Sequence, residues 1–255
     1  MPNEKKAVLY TNEASISRIT INRPEKRNAI NDEVIAGIIE GLREADLNEP
    51  TRAIVLSGAG KDFSSGADLS SLERISEASV AENMDDARLL MDLFLLIRRV
   101  RVPVVAAVRG RALAGGCGLA SACDVVLASD SARFGYPEVK IGFVPAIVMA
   151  ILRRNVSEKR AFELVTRGEE IGAEEAKEIG LINQVFSDDT FDQDVTAYVR
   201  RFEKASKSAV SLTKTLLYQM DGLALFEALQ TGVDVNVIAR MTDDCQKGIA
   251  GFLKK

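Results

Sequence analysis

Histidine is absent from all 255 residues, and so is tryptophan. Without histidine there is no Ser-His-Asp or Cys-His nucleophilic machinery and no His-based zinc site. Any proton moved in a reaction must travel on Asp, Glu, Lys, Tyr, Cys or water. Cysteine is scarce: Cys117, Cys123 and Cys245 form no CxxC pair and no metal-ligand spacing, so no metal is expected. An odd count of cysteines reads as reduced thiols, and the N-terminal MPNEKKAVLY lacks the apolar centre of a secretory signal. A cytoplasmic location is the expectation. No run approaches the ~18 apolar residues of a membrane span, so no membrane partner is expected. Positive charge is not in excess either. A net charge of −4 with an isoelectric point near 5.2 argues against a general electrostatic grip on nucleic acid.

What is present is an ordinary globular composition, 47% apolar and 27% charged, long enough for one large domain or a domain with a helical appendage. Residues 7–10 and 15–21 alternate apolar and polar around Thr-Asn-Glu, which predicts a hairpin. Asn31 reads as a helix cap ahead of an apolar face of Val34, Ile35, Ile38, Ile39 and Leu42. A short buried strand is expected at Ala53–Leu56, a helix over 81–100, and strands at 103–108 and 124–129. From Pro145 the pattern is helical, over 145–154, 157–167, 173–179, 189–205, 207–219 and 222–253, broken only at Ile182–Phe186. Strands alternating with helices predict an α/β fold. We divide it into a core over residues 1–190 and a C-terminal helical region over 191–255.

Four segments could carry chemistry. Phe63-Ser64-Ser65-Gly66-Ala67-Asp68-Leu69 follows a strand and leads into a short helix. It is either a plain turn capped by Asp68 or one whose backbone N–H faces a ligand. Ala114-Gly115-Gly116, inside Gly110–Ala120, is either close strand–helix packing or a helix start with free N–H groups aimed at a developing negative charge. Phe134-Gly135-Tyr136-Pro137-Glu138 places a carboxylate at a rigid point. If that point is dry, Glu138 has a raised pKa and serves as a proton carrier. Arg23-Pro24-Glu25-Lys26-Arg27 is a solvated turn or a phosphate grip, and Arg111 is a support for the glycine-rich turn or a structural ion pair.

In this order and spacing the segments resemble the enoyl-CoA hydratase/isomerase (crotonase) superfamily. Ile21 to Ile30, Phe63 to Leu69, Gly110 to Asp124 and Phe134 to Gly142 look like its four motifs, and Gly248 to Lys254 resembles its last helix. The resemblance implies a crotonase-like spiral of ββα turns with a C-terminal helical trimerisation region, and an acyl-CoA substrate bound by a homotrimer or homohexamer. It needs no cofactor, because coenzyme A is part of the substrate. It further implies that a thioester oxygen rests between the N–H groups of Ala67 and Gly115 while Glu138 acts on the acyl carbons. Coenzyme A would lie near Arg23, Lys26, Ser64, Ala67, Asp68 and Leu69.

One position departs from the pattern. Hydratases of this family place a second glutamate where this chain has Gly118. The expected activity is enoyl-CoA hydration with Glu138 as the single acid/base. Double-bond isomerisation, or thioester hydrolysis or decarboxylation, is the alternative, and a non-catalytic acyl-CoA-binding subunit is the reading from another class. RNA binding, reported for some relatives of this kind, is disfavoured by the acidic charge. Asp68, Glu73, Asp85 or Asp86 could supply a second carboxylate, and Tyr136 could hold a water. A Gly118→Glu substitution is expected to restore the missing group.

Overall fold

The computed structural model describes residues 6–254, apart from the side chains of Leu69 and Leu72. Strands β1 (Val8–Glu13) and β2 (Ile16–Ile21) form the antiparallel hairpin. Its turn lies at Ala14-Ser15, with Ala14 at φ 54°, so Thr11-Asn12-Glu13 belongs to the strand and does not form the turn. Helix α1 (Asp32–Leu47) starts where Asn31 accepts the Val34 amide. Then come β3 (Ala53–Gly58), α2 (Leu69–Glu77) and α3 (Val80–Arg99), the last held by a capping box between Ser79 and Glu82. The glycine-rich segment is not a direct strand-to-helix turn. Between β4 (Val104–Val108) and α4 (Gly115–Ala122) it inserts a three-residue strand, β5 (Arg111–Leu113).

The same pattern repeats with β6 (Val125–Ser129), β7 (Arg133–Gly135) and, after a 3-10 turn over Pro137–Ile141, α5 (Ala146–Asn155). Helix α6 (Glu158–Arg167), β8 (Glu170–Gly172), α7 (Ala173–Glu178) and β9 (Gln184–Phe186) complete the strands. Two sheets result. One orders β1-β2-β3-β4-β6-β9, parallel beyond the hairpin; the smaller orders β5-β7-β8. Each ββα turn gives its first strand to the large sheet and its second to the small one, which makes the core a spiral.

Burial explains the apolar runs. Along β3 and β4, Ile54, Leu56, Val104, Ala106 and Val108 enter the main core. Ala53, Val55, Val105 and Ala107 point the other way, under Phe191, Val195 and Val199 of α8 (Phe191–Val199). Both faces of the sheet are covered, so its strands read as continuous apolar runs and not as alternation. Helix α8, which the sequence reading assigned to the C-terminal region, thus packs on the core sheet. The remaining helices are α9 (Lys207–Gln219), α10 (Leu225–Arg240) and α11 (Asp243–Leu253); the single helical stretch expected over 222–253 breaks at Thr242, which caps α11.

Helix α9 is fastened by buried polar contacts. The Lys214 ammonium donates to the carbonyls of Ile97 and Val102 and lies 2.7 Å from Asp124, which also accepts the Tyr218 hydroxyl at 2.6 Å. Burial pulls the Lys214 pKa down, while Asp124 opposes the shift. All three of its protons have acceptors. Lys214→Met leaves Asp124 and two carbonyls short of a donor, and equilibrium urea unfolding should show a loss of about 3 kcal/mol, the scale for breaking a buried pair.

Candidate active site

The register of the small sheet decides what meets what. Ala112 of β5 pairs with Phe134 of β7, and Ser64 bridges to Ala112 from the other side. Ser64, Ala112 and Phe134 therefore form one row, and the chain leaves each of them in the same direction. Three residues on from each come Ala67, Gly115 and Pro137, the last followed by Glu138. Residues far apart in sequence are thus delivered to one edge.

At that edge the backbone presents two amides. Ile30 bridges to Ala67 by donating to the Gly66 carbonyl and accepting from Asp68 N–H. In a parallel bridge of this kind the N–H of Ala67 itself points away from Ile30. Gly115 is the first residue of α4, whose N-terminal amides have no intrahelical acceptor. The two turns touch: a Cβ placed on Gly66 would sit 2.8 Å from Ala114 Cβ and 3.6 Å from Gly115 N. Helix α4 can come this close only because residue 116 is glycine, since a Cβ there would lie 2.6 Å from the Ser64 carbonyl oxygen. Ala114, which starts the helix, holds φ 50° and ψ −126°, a strained conformation for a residue with a Cβ. The Ala114 N–H donates to Gly135 and ties α4 to β7.

Glu138 is half-buried in the 3-10 turn, and its Oε2 has no hydrogen-bond partner among the described residues. Burial raises its pKa above the ordinary carboxylate value. A carboxyl group placed in this way holds and releases protons closer to neutral pH.

The other expected residues turn inward or away. Arg23 is buried, donating to the Ala29 carbonyl and, at 2.6 Å, to Asp68. Burial would raise the Asp68 pKa, but hydrogen bonds from Arg23 and Ser70 outweigh it and bring it to about 2. This pair anchors the residue next to Ala67 and spends the Arg23 charge internally. Ser64 is fully buried, and its hydroxyl accepts the Gly66 amide. Lys26 is half-exposed, its ammonium 3.6 Å from Asp68, and is the cation of this group that faces outward. Leu69 opens α2, and its side chain lies outside the described residues.

Arg111 stands at the start of β5, away from Gly115, exposed and 3.5 Å from Glu170; it is an ion pair and does not support the turn. Tyr136 is fully buried with its hydroxyl 3.2 Å from Ser121, so it braces α4 from below and is not open to hold a water for Glu138. Asp85 and Asp86 are taken up by Arg88 and Arg74 on the exposed side of α3, and Glu73 is exposed. Gly118 has no vacancy beside it. A Cβ there would meet Val148 Cγ1 at 2.2 Å and Phe94 Cζ at 3.2 Å. Gly118→Glu alone therefore collides with α5 and does not simply restore a carboxylate. Val148 and Phe94 were missed because their contact with Gly118 crosses three helices. No group of His, Cys, Asp and Glu suited to a metal occurs among the described residues.

Two neighbouring turns with free amides, a half-buried carboxylate and the spiral that joins them agree with the match to known proteins. The model of the enoyl-CoA hydratase/isomerase family matches residues 11–255. The chain belongs to that family. A curated relative from Thermus thermophilus is 39% identical over 240 residues, covering 94% of this chain and 95% of that protein. The 2,3-dehydroadipyl-CoA hydratase of Escherichia coli is 31% identical, covering 97% and 96%. A crystal structure of an enoyl-CoA hydratase from Mycobacterium smegmatis superposes with a TM-score of 0.93 at 30% identity, covering 98% of this chain and 97% of that one. The crotonase-type spiral, with its helical C-terminal region, is thus the fold of this enzyme family.

The Arg23–Asp68 pair gives a pH test. Because the Asp68 pKa is lowered on folding, its contribution to stability is present above the unfolded carboxylate value near 3.8 and is lost as pH falls towards about 2. Denaturant midpoints measured down the acid range should therefore fall less steeply in Asp68→Asn than in the parent, although the variant is less stable at neutral pH.

Proposed function

We propose that this chain turns over an enoyl-CoA thioester through an enolate, with Glu138 as its single acid/base. The observation that carries the proposal is the partly desolvated Glu138 carboxylate, whose Oε2 has no hydrogen-bond partner among the described residues, on the chain that leaves the same strand row as the Ala67 and Gly115 amides. With the thioester oxygen between the two amides, charge that builds there meets fixed dipoles. Each such donor contributes roughly 3–4 kcal/mol to the transition state. Coenzyme A extends toward Lys26, whose ammonium suits a phosphate; Arg23 and Asp68 hold the loop in shape. No cofactor beyond the substrate's own coenzyme A is required.

Hydration of a 2-enoyl-CoA is the first reading, in line with what the named relatives do. Water oxygen adds to C3 as Glu138 takes its proton, the enolate forms, and Glu138 then gives that proton to C2. A double-bond shift is the second, favoured by the lack of a second carboxylate at Gly118: Glu138 removes a proton from C2 of a 3-enoyl-CoA and returns it to C4. Purified protein given both substrates separates them, since turnover of the 3-enoyl thioester alone removes hydration. Glu138→Gln should abolish turnover while acyl-CoA binding survives; an unchanged rate removes Glu138 from the mechanism. The acid limb of kcat/KM should lie above the ordinary carboxylate pKa of 4.5, because the base form is lost at a higher pH when burial raises the pKa.

The C-terminal helices support assembly. Phe226, Leu229, Val233 and Val237 run along α10 at helical spacing, continued by Met241 just past its end, each more than half exposed. We propose that they bury one another in a homotrimer, or a hexamer made of two. Light scattering should give three or six times the 27.7 kDa of the chain, and Val233→Glu should reduce it to the single-chain mass.

A further inference from the structure

We infer that Val148 is the residue that keeps a second polar side chain, and any water it would hold, out of the site. The inference rests on the enolate reading above. Gly118 lies one turn beyond Gly115 on α4 and so shares its helix face, about 5 Å further along the axis. With a thioester oxygen on the Gly115 amide, a side chain at 118 is placed to reach the carbons next to the carbonyl. That position is occupied from outside the helix. The virtual Cβ of residue 118 falls 2.2 Å from Val148 Cγ1 and 2.9 Å from Val148 Cβ, with Phe94 Cζ at 3.2 Å. Val148 and Phe94 are each 3% exposed, so the packing is tight, and the three nearest atoms are all hydrocarbon. None of these three atoms can accept or donate a hydrogen bond to water.

The two positions act as alternatives for one volume. Either residue 118 carries a side chain and 148 is small, or 148 carries the side chain and 118 is glycine. This chain takes the second option. It does so on the segment that also carries Glu138, because α5 begins eight residues after it. The acid/base and the residue that excludes its potential partner therefore arrive together. Addition of water to an enoyl thioester needs both a held water and a proton carrier, whereas a proton shift needs only the carrier. On this inference, Val148 sets how much hydration the site can support.

The test is a set of four proteins: Gly118→Glu, Val148→Ala, the double variant and the parent. Thermal unfolding reads the steric claim. Gly118→Glu alone should unfold at a clearly lower temperature than the parent, and adding Val148→Ala should recover most of the loss. Loss of ultraviolet absorbance by crotonyl-CoA reads the chemical claim. Hydration by the double variant should exceed that by Val148→Ala by on the order of 10²-fold, the scale of one positioned acid–base group. A Gly118→Glu protein as stable as the double variant overturns the steric exchange. Recovered stability without faster hydration overturns the role of Val148 in excluding the second group. Glu138→Gln in the double-variant background separates this inference from the proposed function: hydration that persists there counts against Glu138, not against the exchange.

Discussion

Everything at the candidate site depends on the lateral register of a three-residue strand. Ser64, Ala112 and Phe134 stand in one row, and that row brings Ala67, Gly115 and Glu138 to the same edge. A slip of one residue would reverse which backbone groups face outward and turn the amides away. The register is held by packing more than by the few hydrogen bonds of so short a strand. Gly116 lets α4 lie against the Ser64 carbonyl, Ala112 and Phe134 are buried in the main core, and Tyr136 braces α4 from beneath. The large sheet and its two apolar faces provide the rigid frame on which this small sheet rests.

The site holds features that work against stability. Ala114 keeps a backbone conformation that costs on the order of 1–3 kcal/mol. Glu138 is partly desolvated, and one of its oxygens has no partner among the described residues. Stabilising contacts surround them: Arg23 with Asp68 next to one amide, and the Ala114 amide on Gly135 next to the other. The sign of the Glu138 shift is opposite to that of Asp68. Asp68 ionises readily and favours folding above its pKa, whereas ionised Glu138 opposes folding as pH rises through its raised pKa. One carboxylate is tied into the structure, and the other is left for the proton transfer proposed above.

Much of this was legible in the residues. The long helices show in their period and, at Asn31, in a cap, and the apolar runs of β3, β4 and β6 mark strands. Ala67, Gly115 and Glu138 are named as candidates by the order of the motifs and their resemblance to the family. The three-residue strands β5, β7 and β8 were not legible, because three residues cannot display an alternation. The inward direction of Arg23 was hidden too, since a charged turn gives no sign that its guanidinium has a buried acceptor 45 residues away. The filling of Gly118 by Val148 depends on how two helices cross, which no local pattern encodes. The exposed apolar stripe of α10 was visible as a helix but not as a surface, because only the fold shows which face lacks a cover.

In the proposed function, the Ala67 and Gly115 amides polarise a thioester carbonyl. Isotope-edited infrared difference spectroscopy of an unsaturated acyl-CoA carrying ¹³C at the carbonyl reads that polarisation directly. Bound to the Glu138→Gln protein, where turnover does not intervene, the carbonyl band should shift to clearly lower frequency than in water. A band at the solution frequency would mean that the two amides do not hold the thioester, and would contradict the account.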